Sequence, residues 1–298
     1  MKLHQEIRQI IPNYIALTKP GIIWLLLVTT LPAMMLAANQ IPSFELMFFT
    51  LAGGTLAAGG ANSMNHYFDR DIDKLMSRTM NRPLPQKAMP DIHALILGLS
   101  LSFISIALLY YTINLLAAII TLFSIFFYAI IYTAYLKRRT IQNIVIGGAA
   151  GSTPPLIGWV AVNNEISTEA ILLFLIVFYW TPAHFWALAL LKEKDYSNAK
   201  VPMLPVVVGK KEACKLILLY SLALIFISII FGFIAQVSWI YFGLAIPINL
   251  IFLKYAIDLF KKYSEKKAKK LFLFSILYLV LLFAGISLDV VFSNILIN

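Results

Sequence analysis

The sequence predicts an all-α protein, a bundle of nine transmembrane helices that forms one domain over residues 1–298. Its composition is 60% hydrophobic and only 13% charged, whereas a soluble domain is about half apolar and a quarter charged. Long apolar runs recur along the chain, and the basic residues are confined to every second connection between them. These three observations leave no room for a soluble core.

The spans follow in order as nine apolar runs. They lie at residues 21–38, 44–64, 92–111, 114–136, 141–162, 168–191, 214–235, 238–257 and 270–292. Each approaches the length of about 20 residues that crosses the hydrocarbon core as a helix, and all are too long and too uniformly apolar for barrel strands. We expect the first run to be a retained span, since the residues before it resemble neither a signal peptide nor a transit peptide.

The charges fix the expected orientation. All 24 Lys and Arg residues lie in the N-terminal arm or in and beside the connections after the second, fourth, sixth and eighth runs, and the turns on the opposite face carry none. Short cytoplasmic loops collect basic residues, so we expect a cytoplasmic N-terminus and an external C-terminus. This rule also accounts for the net charge of +10 without a nucleic-acid partner. One cysteine, Cys214, excludes a disulfide framework.

The connections 66–91 and 192–213 are longer than turns need to be, and such loops are usually functional. At the start of the first, Asn65, Asp69 and Asp73 are spaced i, i+4 and i+8, so a continuing helix would place them on one face. Carboxylate and amide oxygens suit Mg²⁺, which binds through few carboxylates plus substrate phosphates. A solvated acidic helix end is the alternative, but a polar Asn65 in an apolar helix is costly and usually functional. Asp71 points away from this face and is expected to pair with a base.

Basic residues near the acidic row favour a phosphate ligand. Arg78 and Arg82 lie four residues apart and suit phosphate oxygens, although alone they would be ordinary cytoplasmic charges. Asp195 offers a second carboxylate to a metal–diphosphate group, with Lys192 or Lys194 on the phosphates; an interfacial charge cluster is the alternative.

Three further features are candidates. Lys137, at the end of the fourth span, is placed to reach a phosphate. His184 follows a proline in the sixth span and is a ligand for a metal or heme iron or a hydrogen-bonded packing element. Small residues at 147–155 allow close helix packing or leave room for a bulky ligand.

At these residues the chain resembles the UbiA superfamily of intramembrane prenyltransferases. The matching segments are LTKPGI at 17–22, N-x-x-x-D-x-x-x-D at 65–73, RTMNRPLP at 78–85, YTAYLKRRTIQNIVIGGAAGSTPPLIGW at 132–159 and WTPAHFWALALLKEKDYSNAKVPMLP at 180–205. The resemblance implies nine helices around a central cavity open towards the lipid. His66 replaces an Asp that many members have, and their second D-x-x-x-D shrinks to Asp195 with Glu193 nearby. Both departures favour a heme acceptor over a quinone-type acceptor.

The resemblance further implies Mg²⁺-dependent transfer of farnesyl from farnesyl diphosphate to a vinyl group of protoheme IX, with addition of water, giving heme O in a bacterial plasma membrane. The implied partners are membrane lipid and a downstream heme A synthase or heme–copper oxidase. The expected Mg²⁺–diphosphate ligands are Asn65, Asp69, Asp73 and Asp195. The expected phosphate contacts are Lys19, Arg78, Arg82, Lys137 and Lys192, and His184 is the expected heme contact.

Two alternatives stay open at the level of sequence. One is the same chemistry on a quinone-precursor aromatic acceptor. The other is a transporter or lipid-binding membrane protein, but transporters often show two related halves, and no repeated hydropathy or motif is found here.

Overall fold

The computed structural model describes residues 2–297, with side chains from residue 10 to residue 293. Two of the N-terminal charges, on Lys2 and Arg8, therefore lie outside the described side chains. Every ordered element between residues 2 and 297 is helical. The helices are α1 Lys2–Thr18, α2 Pro20–Ala38, α3 Phe44–Asp69, α4 Asp91–Thr112, α5 Leu115–Phe126, α6 Asn143–Gly151, α7 Thr153–Asn163, α8 Thr168–Leu191, α9 Glu193–Asn198, α10 Leu204–Ile234, α11 Trp239–Lys261 and α12 Glu265–Ile297.

The prediction of nine spans is confirmed, since nine helical segments of the described chain are long and apolar enough to cross a membrane. The largest difference is the start of the seventh span, which begins at Leu204 instead of residue 214. The added residues include a break at Gly209, where φ is 81° and ψ is 167°. Glycine is the residue that adopts such a conformation without steric cost, so a short first turn precedes the main helix.

A helix before the first span, α1, was not predicted. Ile10, Ile11 and Ile15 are exposed on it, while Leu17 is fully buried. A helix with exposed apolar side chains beside a membrane span suits the membrane interface. Lys19 joins α1 to α2 in a left-handed conformation, with φ 52° and ψ 60°. For a residue other than glycine this costs roughly 1–2 kcal/mol.

The spans form a closed ring. Each span packs against the next along the chain, and α12 returns to pack against α2. Further contacts cross between non-consecutive spans, among them α2 with α7, α8 with α12, and α3 with the fourth span. Large apolar side chains such as Phe103 and Tyr111 are exposed on the outside, as expected for helices surrounded by lipid tails.

Two predicted spans are irregular. In the fourth, α5 passes into a π-helix at Phe127–Tyr135 and then into a 3₁₀ turn at Leu136–Arg138. In the fifth, α6 and α7 are separated at Ser152, directly before the pair Pro154 and Pro155, whose missing N–H groups cannot continue the α6 hydrogen bonds. π-Helical segments in spans are frequent at functional sites, and this one faces α3.

Candidate active site

Asn65 and Asp69 form the centre of the site, one turn apart on the last part of α3. Both are buried, with exposures of 4% and 0%, and Asn65 Nδ2 donates to Asp69 Oδ2 at 2.7 Å. The expected helical row does not extend further, because α3 ends at Asp69. Asp73 instead lies in a separate 3₁₀ turn, Ile72–Leu75, where its side chain is also buried. The prediction that one helix presents all three residues was therefore wrong.

Two lysines from other elements contact these oxygens. Lys137 Nζ donates to Asp69 Oδ2 at 2.5 Å, and Lys19 Nζ donates to Asn65 Oδ1 at 2.5 Å. Lys137 is only 9% exposed, and it reaches α3 because the π-helix and the 3₁₀ turn end beside that helix. The structure thus brings together four of the residues that the sequence singled out.

Thr133 is a member of this cluster that sequence reasoning missed. Its hydroxyl accepts from Asn65 Nδ2 at 3.1 Å and donates to the carbonyl of Tyr128 at 2.8 Å, five residues earlier in the π-helix. The contact depends on the π-helical geometry, which no spacing in the sequence revealed.

The site is richer in positive than in negative charge. Burial lowers the pKa of Lys19 to about 7, and the nearby charge of Arg82 lowers it further while Asp69 opposes the shift. Arg82 Nη1 itself donates to Asp73 Oδ2 at 2.7 Å. Three basic side chains therefore accompany two carboxylates, because Lys19 contacts the Asn65 amide instead of a carboxylate, and this arrangement favours an additional anion.

The two long connections contact each other beside this cluster. Asp195, on the short helix α9, accepts from Ser77 Oγ at 2.9 Å, and Arg78 Nη2 donates to the Tyr196 hydroxyl at 3.1 Å. Asp195 therefore contacts the 66–91 connection, and Arg78 contacts the 192–213 connection. Neither side chain contacts Asn65 or Asp69. The Lys192 side chain forms no hydrogen bond or ion pair with the described residues.

His184 lies apart from the cluster, between α8 and α12. Its Nδ1 is 2.7 Å from the Ser275 hydroxyl, and its ring stacks on Trp180 and on Phe272. With both ring faces covered, the geometry favours the packing interpretation, and the heme contact stays a prediction. Among the small residues of α6, Gly147 is a packing position, because a Cβ there would overlap the Tyr132 ring, whereas a Cβ on Gly151 would have no atom within 4 Å.

Asp71 pairs with a base as predicted. Arg138 Nη1 and Nη2 donate to its two carboxylate oxygens, each at 2.6 Å. The hydrogen bonds from Arg138 lower the pKa of Asp71 to about 2. The stabilisation is therefore complete above the unfolded pKa near 3.9 and is lost as the pH falls through about 2. This pair lies outside the cluster and has a structural role.

The cluster fits a Mg²⁺ ion. Asp69 Oδ1 is buried and has no hydrogen-bond partner, and Asn65 adds an amide oxygen, both hard ligands of the kind that Mg²⁺ prefers. Among the described residues, no three histidine, cysteine, aspartate or glutamate side chains are grouped closely enough to hold a metal ion.

The described part of the chain thus forms a ring of nine membrane-spanning segments with acidic and basic side chains at the end of the second span. Residues 26–282 match the UbiA prenyltransferase family, and the chain belongs to that family. Its relatives include a "Protoheme IX farnesyltransferase" of Roseiflexus castenholzii, 45% identical over 94% of this chain and 52% of the relative. A protein of the same name from Trichodesmium erythraeum is 47% identical over 94% of this chain and 86% of the relative.

The first of these relatives is much longer than this chain, which spans about half of its length. Solved structures show the same fold at low identity. A digeranylgeranylglyceryl phosphate synthase superposes with a TM-score of 0.79 and 17% identity, covering 94% of this chain and 98% of that one. A UbiA homolog from Archaeoglobus fulgidus bound to GPP and Mg²⁺ gives a TM-score of 0.63 and 14% identity, covering 92% and 99%.

Proposed function

We propose that residues 1–298 act as one prenyltransferase domain that transfers the farnesyl group of farnesyl diphosphate to a vinyl group of protoheme IX. Water adds to the porphyrin side of the new bond, and the products are heme O and diphosphate. The observation that carries this proposal is the buried contact of Asn65 and Asp69 with Lys19 and Lys137. The names of the relatives support the choice of acceptor and donor.

The diphosphate group would bind over the Asn65–Asp69 pair. Mg²⁺ held by Asn65, Asp69 and Asp73, with Asp195 as an added carboxylate, would neutralise the charge that grows on the leaving diphosphate. Lys19 contacts the Asn65 amide oxygen that would bind the metal ion, and Lys137 contacts Asp69 Oδ2, the neighbour of the unpartnered Oδ1. We infer that they turn from these oxygens to the phosphates when substrate binds, where they stabilise the developing charge.

Basic side chains beyond the pair complete the phosphate contacts. Arg82 lies at Asp73, so it reaches the site from the loop after α3. Arg78 and Lys192 lie on the two connections that meet at Ser77 and Asp195. We assign them to the terminal phosphate, the one that is not bonded to farnesyl. Diphosphate would then leave the site on the side of these two connections.

The allylic cation left after ionisation must be kept from water until the vinyl carbon attacks it. The membrane spans supply a dry environment in which such charges are stabilised by fixed groups. We propose that the farnesyl chain lies among the helices and that the loops face the cytoplasm of a bacterial inner membrane. A heme A synthase or a heme–copper oxidase would take up the product, and His184 remains our candidate on the heme side.

The test is heme extraction from membranes of a host without its own heme O synthesis, with and without this chain. We expect a new heme in which a hydroxyethylfarnesyl group replaces a vinyl group, so that its mass is greater by one farnesyl and one hydroxyl group, detected by chromatography and mass. Asp69→Ala should abolish it. Asp71→Asn is the matched control, because it removes a neighbouring carboxylate that pairs only with Arg138, and it should leave the product in place.

If well-expressed protein and ample farnesyl diphosphate gave only protoheme, the heme acceptor would be wrong. The same membranes would then be supplied with quinone-precursor aromatics. Prenylation of one of these in an Asp69-dependent manner would retain the site and replace the acceptor.

A further inference from the structure

His66 is a buried histidine with no assigned role. It is 1% exposed, and neither Nδ1 nor Nε2 has a hydrogen-bond partner. A buried polar group without a partner costs free energy, and such groups in folded proteins call for an explanation. The other histidines with described side chains each have a partner, since His93 is bonded to Tyr14 and His184 to Ser275.

The position of His66 points to the diphosphate site. It follows Asn65 on α3 and precedes Asp69 by three residues, so His66 and Asp69 are neighbours on the helix surface. The charged groups that lie near enough to act on its ring are Lys19, Arg82 and Lys137. These are the cations that contact Asn65, Asp73 and Asp69. The imidazole therefore lies within electrostatic range of three side chains expected to contact phosphate.

Two roles are open to an imidazole at this place. As a metal ligand it would compete poorly, because Mg²⁺ selects oxygen ligands. As a hydrogen-bond donor, the neutral imidazole offers one ring N–H. The three basic side chains nearby attract an anion to this place, and an anion would accept that hydrogen bond. We propose, building on the function proposed above, that His66 donates this N–H to an oxygen of the diphosphate group.

The test measures binding of inorganic pyrophosphate with Mg²⁺ to the purified full chain in detergent by titration calorimetry. His66→Asn keeps an N–H donor and should bind within about threefold of the parent. His66→Phe keeps a ring without a donor and should bind about ten- to a hundredfold more weakly. His66→Leu is close to Asn in size and has no donor, so its affinity should fall as far as that of His66→Phe. His93→Phe is the matched control and should bind like the parent.

The outcomes separate the two proposals. Parent protein that does not bind pyrophosphate with Mg²⁺ would contradict the diphosphate site itself. Parent and His66→Phe proteins that bind equally well would leave that site intact and exclude the role of His66. Equal binding by His66→Asn and His66→Leu would likewise exclude the role of His66. If the Phe variant failed to fold, the Asn–Leu comparison would decide the question alone.

Discussion

The ion pair between Lys137 and Asp69 is buried at the end of a membrane span, with side-chain exposures of 11% and 1%. Removing both charges from water is costly, and their attraction offsets that cost only while both partners are present. Asp69 Oδ2 also accepts from Asn65, so the negative charge is shared between a cation and an amide.

This pairing predicts strong coupling between the two residues. Lys137→Met should destabilise the fold by about 3–5 kcal/mol, because it leaves the Asp69 charge buried and unpaired. Adding Asp69→Asn should restore much of the loss, since no unpaired charge remains. The measurement is a double-mutant cycle of thermal unfolding in detergent.

The exposed pair of Arg138 and Asp71 provides the control cycle. Its side chains are 34% and 62% exposed, and exposed pairs typically couple by less than about 1 kcal/mol. Additive effects at Lys137 and Asp69, no larger than in the control cycle, would mean that the buried pair is not formed in the protein.

At this scale the residue types could be predicted and their partners could not. Asn65 stands out because a polar group is expensive in an apolar segment, Asp69 because it lies four residues after Asn65, and Lys137 because it lies at the end of the fourth span. Nothing in the sequence indicates which residue Lys19 or Thr133 contacts. Their contacts arise from a left-handed residue between two helices and from a π-helix, and both are consequences of packing.

At the scale of elements, the π-helix at Phe127–Tyr135 sets the direction in which Thr133 and Lys137 face. The side chain of Tyr132, which belongs to this π-helix, packs against α6. Its ring fills the space that Gly147 leaves by having no side chain. The active-site side chains therefore depend on a contact with a helix that contributes none of its own to the cluster.

Gly147→Ala should disturb the site from outside. A Cβ at Gly147 would overlap the Tyr132 ring, so either the π-helix or α6 must move, at a cost of about 1–3 kcal/mol. A shift of about 1 Å in catalytic groups can reduce a rate by about a hundredfold. We therefore expect a large fall in farnesyl transfer, measured as heme product per amount of folded protein.

Gly151→Ala on the same helix is the matched control. No atom lies within 4 Å of a Cβ at that position, so stability should change by less than about 0.5 kcal/mol and activity should be retained. Equal losses in the two variants would indicate a general effect on α6 instead of a displacement of the π-helix.

The elements themselves were predictable to different degrees. Nine apolar runs gave the spans, because length and hydropathy alone decide what crosses a bilayer. The helix α1 was missed since its mixed composition does not resemble a span, and the Gly209 break hid the first turn of α10. The separation of α6 from α7 is caused by a pair of prolines, and a hydropathy pattern does not reveal such a break.

At the scale of the whole molecule, the ring of helices has all its basic connections on one side. This segregation, together with the site beside those connections, leads us to expect that the loops face the cytoplasm. Single cysteines test it, because Cys214 is 1% exposed and should not react with a maleimide that does not cross membranes.

Glu165→Cys lies in a turn without basic residues and should be labelled in intact cells. Lys211→Cys lies in a basic connection and should be labelled only in inverted membrane vesicles. The parent chain is the background control. The opposite pattern would place the site outside the cell and would contradict a cytoplasmic supply of farnesyl diphosphate.

The lysines beside Asn65 and Asp69 also bear on how the molecule is made. As the second span enters the membrane, its acidic end needs a counter-ion, and Lys137 provides one from within the chain. Small metal-dependent domains differ, because their ligands repel one another until the ion arrives and binding energy becomes folding energy. We therefore expect assembly of this protein and binding of the proposed Mg²⁺ to be separate events, so that the newly inserted protein reaches its final shape before it meets either ion or substrate.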